Sequence, residues 1–362
     1  LKILVNATAL DSRGAFSVVN SFLYEMNTSS QYLLDKGIKL HFLVAKKELC
    51  RYENEVIKVD YESFPKKGLY HKWKYERIIL PELVRKGVFG AYLSLQNFVL
   101  KKISIKQFAL IHQPIPFAEL KLSELEIKNW IKYKLLFGWL LFRQKNDING
   151  VIVQTNWMRE AIIKKYNYKC PIVVIRPSVE DVINNTGPLS VKVQEYLSLD
   201  GLKIFYPTNQ EKYKNNEKLI ESIIKYNKTF TKKIILYITL EGSSNEYVKY
   251  IGKIPYESIY SLYKSIDAIV FPSLAETLGL PLLEAKMNGI PVIVSDLPYA
   301  REICGDFAYY FNPRCIDSII QAIDLFVNNK LNAKLIENIL TSPNRSYMDY
   351  INFILSLMAD KG

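Results

Sequence analysis

Short apolar runs of strand character recur along almost the whole chain, separated by stretches of helical periodicity, and this alternation most limits what it can fold into. A run that is apolar at nearly every position suits a strand buried on both faces. Strands alternating with helices build a parallel sheet covered on both sides. In the first half the strand signals fall at residues 2–5, 39–44, 108–111, 151–154 and 172–175, with amphipathic helices at 16–35 and 157–166 among others. From 177 to 201 the period is lost among Ser, Asn, Gly and Pro, which reads as an interdomain linker. A second series follows, with strands at 203–206, 234–238, 268–271, 291–294 and 308–311 and helices at 216–226, 257–265, 278–288 and 316–329. A last helix is expected over 346–359.

At 362 residues the chain is too long for one ordinary core and right for two α/β domains. The sequence predicts a Rossmann-like domain over 1–178, a second over 179–345, and a C-terminal helix, 346–362, returning to the first. Two such domains are expected to face each other across a central cleft. Ligands of open α/β sheets bind outside the carboxyl ends of the strands, so the residues that follow strands are the ones to inspect.

Composition removes several classes. Hydrophobic residues at 49% and charged residues at 23% describe a globular chain, not a disordered one. Cys50, Cys170, Cys304 and Cys315 form no closely spaced pair, and His41, His71 and His112 lie far apart. Neither a disulfide framework nor a zinc site of closely spaced ligands is expected. The apolar run 135–142 is far short of the roughly 20 residues that cross a bilayer. With strand character from residue 1 and no leader-like stretch before it, the expectation is a cytoplasmic protein.

Charge is distributed unevenly. Through Ser178 there are 29 Lys/Arg against 15 Asp/Glu, a net of +14; beyond it there are 19 against 21, a net of −2. The first half therefore faces something anionic, a phosphorylated lipid surface or nucleic acid, unless its lysines are simply scattered over solvent. Residues 127–145 interleave basic, aromatic and aliphatic side chains. They form either a domain helix with basic ends or a helix lying at an anionic membrane surface. No recognition helix or RNA-stacking motif is found and the 25 tyrosines are spread over both halves, so nucleic acid is not expected as a partner.

The stretch with most chemical content follows the strand ending at Phe271. Glu276 falls in the loop after that strand, and Glu284 falls eight residues later inside a helix that Pro281 helps to start. Gly279 removes a side chain where loop becomes helix, presenting the amides of Leu278, Gly279 and Leu280 at the positive helix end, which suits an anion. Carboxylates repel phosphate but accept hydrogen bonds from sugar hydroxyls, so the set suits a molecule with hydroxyls on either side of phosphates. The plainer reading makes Glu276 a helix cap and Glu284 the partner of a surface lysine. A glycosidase pair fits poorly, because Glu284 lies well inside a helix whose start suits phosphate rather than a glycosidic oxygen.

With the glycine–leucine–proline step at 279–281 and the apolar run 289–294 behind it, this element resembles the signature of family 4 retaining glycosyltransferases, which have the GT-B fold. The resemblance covers roughly residues 203–325 and is much weaker in the first half. It implies an acceptor-side first domain and a second domain for a nucleotide-sugar donor. By the resemblance, Glu276 meets the donor sugar's hydroxyls, Glu284 the ribose hydroxyls, and the amides of 278–280 the sugar and phosphates. Lys214, followed by Asn215, matches the family's Lys–Asn step at the diphosphate. The arginine that normally precedes it is missing, with Asn209 near its place and Lys212 as the residue to compensate. In the first half, His112 at a strand end matches a histidine that approaches the donor sugar. Gly14, in the loop 11–14, stands where the family has a glycine-rich loop near the phosphates.

The activity so implied is retaining transfer of a sugar from a UDP- or GDP-sugar to a hydroxyl of a glycan or polyprenyl-diphosphate-linked glycan, in surface polysaccharide synthesis. Lys214, Glu276 and His112 are the expected catalytic residues. No Asp-x-Asp element is present, so no metal and no cofactor is expected. The location so implied is cytoplasmic, peripheral on the inner face of the cell membrane. A nucleotide-sugar epimerase of the same fold and a nucleic-acid-binding protein are the alternatives.

Overall fold

The computed structural model describes residues 1–11, 13–177, 186–306, 308–328 and 346–359. The chain divides into two compact units. One comprises Leu1–Phe117, Leu135–Ser178 and Asn344–Gly362, and the other Ala118–Lys134 and Val179–Pro343.

The first unit is built on seven parallel strands: β1 (Lys2–Ala7), β2 (Lys39–Val44), β3 (Ile57–Tyr61), β4 (Ala91–Ser94), β5 (Lys106–Leu110), β6 (Gly150–Val153) and β7 (Ile172–Val174). Their order across the sheet is β3-β2-β1-β4-β5-β6-β7. Val5 of β1 lies opposite Phe42 on one side and Leu93 on the other. Because side chains alternate along a strand, β1 supplies two cores. Ile3, Val5 and Ala7 pack with Phe22 and Met26 of helix Arg13–Thr28. Leu4 joins Tyr92, Tyr75 and Leu80 on the opposite face. Each fully buried aliphatic side chain of this kind is worth about 1.5–3 kcal/mol over its exposed state. Helix Met348–Ala359 adds Tyr350, Ile351 and Ile354 to the first of these cores. Its start is fixed by Glu25, whose carboxylate accepts from the Tyr347 and Met348 amides at 2.9 and 2.8 Å.

The second unit has six parallel strands: β8 (Leu202–Tyr206), β9 (Ile234–Ile238), β10 (Val248–Tyr250), β11 (Ala268–Phe271), β12 (Val292–Ser295) and β13 (Ala308–Phe311). They lie in the order β10-β9-β8-β11-β12-β13. In both sheets the strand order reverses beside the first strand, between β1 and β4 and between β8 and β11. Those two switch points are where a doubly wound sheet opens a crevice for a ligand.

The structure departs from the sequence reading in five places. Strands β3, β4 and β10 are absent from the sequence reading: β3 and β10 are edge strands whose apolar residues are interrupted by charged ones, and β4 is only four residues long. The helix expected over 16–35 begins at Arg13 and is broken at Ser29, where Thr28 and Ser30 hydroxyls bond back to carbonyls of the preceding turn. The stretch 177–201 holds a helix, Val191–Leu197, capped by Ser190; only Val193 is buried, so no apolar face announced it. Residues 178–185 of that stretch lie outside the described residues. Residues 118–134, expected within the first domain, belong to the second unit. There Arg314 grips Glu124 through two bonds of 2.6 and 2.8 Å, and Asn129 donates to Glu211 at 2.9 Å. Finally, the helical run Leu69–Lys86 is new; its middle, Tyr75–Ile79, is a π-helical turn.

Candidate functional site

In the second unit, the loops after β8 and β11 meet at the switch point. A backbone bond from Leu274 N to Tyr213 O, 2.8 Å, stitches them together. The loop after β8 carries Asn209, Lys212 and Lys214, and the loop after β11 carries Glu276. Lys214 Nζ donates to Glu276 Oε1 at 2.5 Å, with side chains 13% and 16% exposed. Residues 62 positions apart, given separate duties in the sequence reading, thus form one charge-assisted pair. Lys214 is braced further: the Tyr206 hydroxyl donates to its carbonyl at 2.7 Å, and its ammonium lies 5.8 Å from the Phe271 ring centre. Asn215 adopts a left-handed conformation (φ 61°) and donates from Nδ2 to the Pro313 carbonyl at 2.7 Å, which turns the chain into helix Asn216–Thr229.

Asn209 and Lys212 are placed differently from Lys214. Asn209 Oδ1 accepts from the Glu211 amide at 3.0 Å and its carbonyl accepts from Asn216 Nδ2 at 2.6 Å, so it shapes the loop. Lys212 is exposed and makes no ion pair among the described residues.

Helix Leu280–Met287 starts at Gly279, which sits at φ 74°. That conformation strains any other residue, and a Cβ there would lie 3.1 Å from Leu282 Cδ1. With Pro281 in the first turn, no side chain caps this start, and the amides of Leu278 to Leu280 stand at the positive end of the helix. Glu284 lies on the same helix. The Tyr263 hydroxyl donates to its Oε2 at 2.5 Å. Burial pushes the Glu284 carboxyl above its ordinary range, opposed by that bond. Such a group gains from further hydroxyl donors. Tyr263 was not identified from sequence as a site residue; it ends the short helix Ile259–Tyr263, which precedes β11 and the motif.

His112 belongs to the first unit, two residues past β5. Asn97, at φ 74°, holds it in place. Its Oδ1 accepts from the His112 and Gln113 amides at 2.8 and 3.1 Å, while its own amide bonds to the Leu110 carbonyl. His112 Nδ1 is buried without a hydrogen-bond partner among the described residues. Burial pushes the imidazole down to about 4, against a bond with the Leu110 backbone. It is therefore neutral near pH 7 and able to serve a hydroxyl as acceptor or donor. Sequence reasoning missed Asn97. Gly14 is the second residue of helix Arg13–Thr28 and not part of the preceding loop; Ser12 lies outside the described residues.

Among the described residues no group of three or more His, Cys, Asp or Glu side chains is placed to hold a metal ion. Nor is any helix long and apolar enough to cross a membrane.

Residues 227–341 match the family described as Glycosyl transferases group 1. Over 187 residues the chain is 24% identical to O-antigen chain mannosyltransferase B of Escherichia coli, covering 47% of this chain and 49% of that protein. It is 23% identical over 184 residues to O-antigen chain mannosyltransferase RfbU of Salmonella typhimurium, covering 50% and 51%. The chain spans about half the length of the curated relatives it matches. Sucrose-phosphate synthase from Thermosynechococcus elongatus aligns over 99% of both chains, with a TM-score of 0.64 and 13% identity. The two parallel sheets and this likeness give the chain the GT-B fold.

Proposed function

We propose that this chain, whose residues 227–341 belong to the glycosyl transferases group 1 family, transfers a sugar from a nucleotide diphosphate donor to an acceptor hydroxyl with retention at the anomeric carbon. The observation that carries this reading is the Lys214–Glu276 pair, set beside the Gly279 helix start at the switch point of the second sheet. The mannosyltransferase relatives support mannose as the donor sugar and surface polysaccharide synthesis as the setting. The acceptor is a glycan or a lipid-linked glycan. The protein works at the cytoplasmic face of the membrane, on which it rests peripherally.

In this mechanism the donor's diphosphate displaces Glu276 from Lys214. The ammonium and the amides of 278–280 then face phosphate, and Glu276 turns its oxygens to the sugar's hydroxyls. Glu284, buried and held by Tyr263, takes the ribose hydroxyls. The bond between the anomeric carbon and the diphosphate oxygen breaks, and the acceptor oxygen bonds to that carbon on the same face. The acceptor's proton passes to the departing diphosphate. Catalysis is chiefly electrostatic, because fixed positive groups meet charge that grows on the leaving group. Lys214 and the helix amides supply the positive charge that a metal would otherwise bring, so the transfer is metal-independent.

Thermal melting with UDP, GDP, dTDP, ADP and CMP, each with and without EDTA, tests the donor side. A ligand at 100 times its dissociation constant stabilises by about 2.7 kcal/mol, a readily measured shift. One nucleoside diphosphate is expected to raise the melting temperature selectively and to do so in EDTA. A shift abolished by EDTA overturns metal independence, and no shift with any nucleotide overturns the donor site.

A further inference from the structure

The first unit contains a cavity of about 330 Å³ that the transfer chemistry described above does not use. This is within the size range of small-molecule sites. Its polar floor lies at the switch point of the first sheet, formed by Asn6 near the end of β1, Tyr92 of β4, Gln96 just past β4, and Gln144. Its walls come from two helical runs, Leu69–Lys86 and the part of 127–144 beyond residue 134, and from the segment 98–101 that follows β4. Each run contains a π-helical turn, Tyr75–Ile79 in one and Trp130–Phe137 in the other, and both turns put residues in the wall: Glu76 and Arg77 from the first, Leu136 from the second. π-helical turns are rare and concentrate at functional sites. Two of them bordering one cavity is a construction that packing alone does not call for.

The rim is apolar and wet. Leu69 is 89% exposed, and Trp73, Leu136 and Trp139 are each about half exposed. A monomer gains nothing by leaving such side chains in water around a cavity. Four cations stand among them. Lys72 faces Glu76 at 3.9 Å and Lys101 pairs with Asp147, which leaves Arg77 and Arg143 without an ion pair among the described residues. The Arg143 guanidinium rests 4.8 Å from the Trp139 ring centre, so charge and apolar surface are presented together. Lined this way, the cavity complements a molecule that is both a hydrocarbon and an anion.

We propose that this cavity holds the phosphate-bearing end of a lipid, its hydrocarbon chain lying along Leu69, Trp73, Leu136 and Trp139 and its phosphate meeting Arg77 and Arg143. Taken with the transferase reading, on which this last step rests, the lipid is the carrier of the acceptor. The crevice floor at the end of β1 and β4 then receives the carrier's polar end.

The test is isothermal titration of the full chain with farnesyl phosphate, farnesol and inorganic phosphate as separate probes. Farnesyl phosphate is expected to bind saturably and at least tenfold more tightly than either of the others. An Arg77→Ala, Arg143→Ala double variant and a Leu69→Ser, Trp139→Ser double variant, all at exposed positions, are each expected to weaken it tenfold or more. Both variants should keep the parent's melting temperature and its shift with nucleoside diphosphate. Equal binding of farnesol and farnesyl phosphate, or binding unchanged in both variants, overturns the proposal. So does failure of farnesyl phosphate to bind while phosphatidylglycerol vesicles still capture the parent and release the variants, which makes the patch a bilayer contact. If farnesyl phosphate binds as expected and no nucleotide does, the lipid site stands and the transferase reading falls.

Discussion

Replacing Lys214 with alanine removes the ammonium group held between the loops after β8 and β11. The side chain is 13% exposed and its partner Glu276 16%, so the charge acts in a medium between bulk water and dry protein. At an effective dielectric of about 20, a unit charge about 4 Å away gains about 4 kcal/mol. Loss of a single donor from a site that stabilises growing negative charge costs about 3–4 kcal/mol, or 100–1,000-fold in rate. The two figures agree, and the lower end is favoured because Lys214 must first give up Glu276. The assay is nucleoside diphosphate release from the sugar nucleotide, measured over a range of concentrations so that kcat and KM separate, with melting temperature as the check on folding. Lys214→Ala is expected to lower kcat 100–1,000-fold and to change KM far less, since the interaction strengthens as the bond breaks. A folded variant whose kcat lies within threefold of the parent would refute the reasoning and return Lys214 to a structural role.

Other substitutions probe the rest of the site. Glu284→Ala is expected to weaken nucleotide binding by about 10–100-fold, the value of hydrogen bonds to a charged acceptor, and Tyr263→Phe by a smaller factor; calorimetric titration measures both, and unchanged affinity in Glu284→Ala contradicts the ribose role. Gly279→Ala meets a left-handed φ and a Cβ 3.1 Å from Leu282, and is expected to cost about 1 kcal/mol or more, seen as a melting temperature lowered by a few degrees. His112 has a folded-state value of about 4 against an ordinary 6.5, so unfolded chains take up a proton there before folded ones do. Its contribution to stability is full above pH 6.5 and is lost as pH falls toward 4. The parent should therefore lose more melting temperature between pH 7 and pH 5 than His112→Gln; equal losses would place the imidazole in water.

Most central strands of the two sheets were legible because burial on both faces demands apolar side chains at successive positions, as in β1 and β9; β4, the middle strand of seven, was not, being only four residues long. Edge strands β3 and β10 need only one apolar face, and their lysines and aspartate hid them. The motif at 276–284 was legible because loop, glycine, proline and helix follow one another locally. Its two pairings, Lys214 with Glu276 and Tyr263 with Glu284, were not. Lys214 comes from another strand's loop, and Tyr263 reaches Glu284 from a short helix that no local pattern links to it. Asn97 was hidden for a similar reason: a lone asparagine in a loop carries no signal until its left-handed backbone and its two amide donors are seen together. The cavity in the first unit was only half visible. Residues 127–145 stood out by composition, whereas the facing run at 69–86 is interrupted by polar and basic residues and a π-helical turn that breaks the 3.6-residue period.

The proposed reaction moves a glycosyl group from a nucleotide diphosphate to an acceptor with its configuration kept. Proton NMR of the purified protein with GDP-mannose or UDP-glucose and mannose-terminated glycan acceptors, followed in time, tests it most directly. Nucleoside diphosphate is expected to be released in step with a new glycosidic signal that has the same anomeric configuration as the donor, with no such signal from Lys214→Ala over the same period. A product of opposite configuration, or a sugar nucleotide converted to an isomer with no bond to the acceptor, would contradict it.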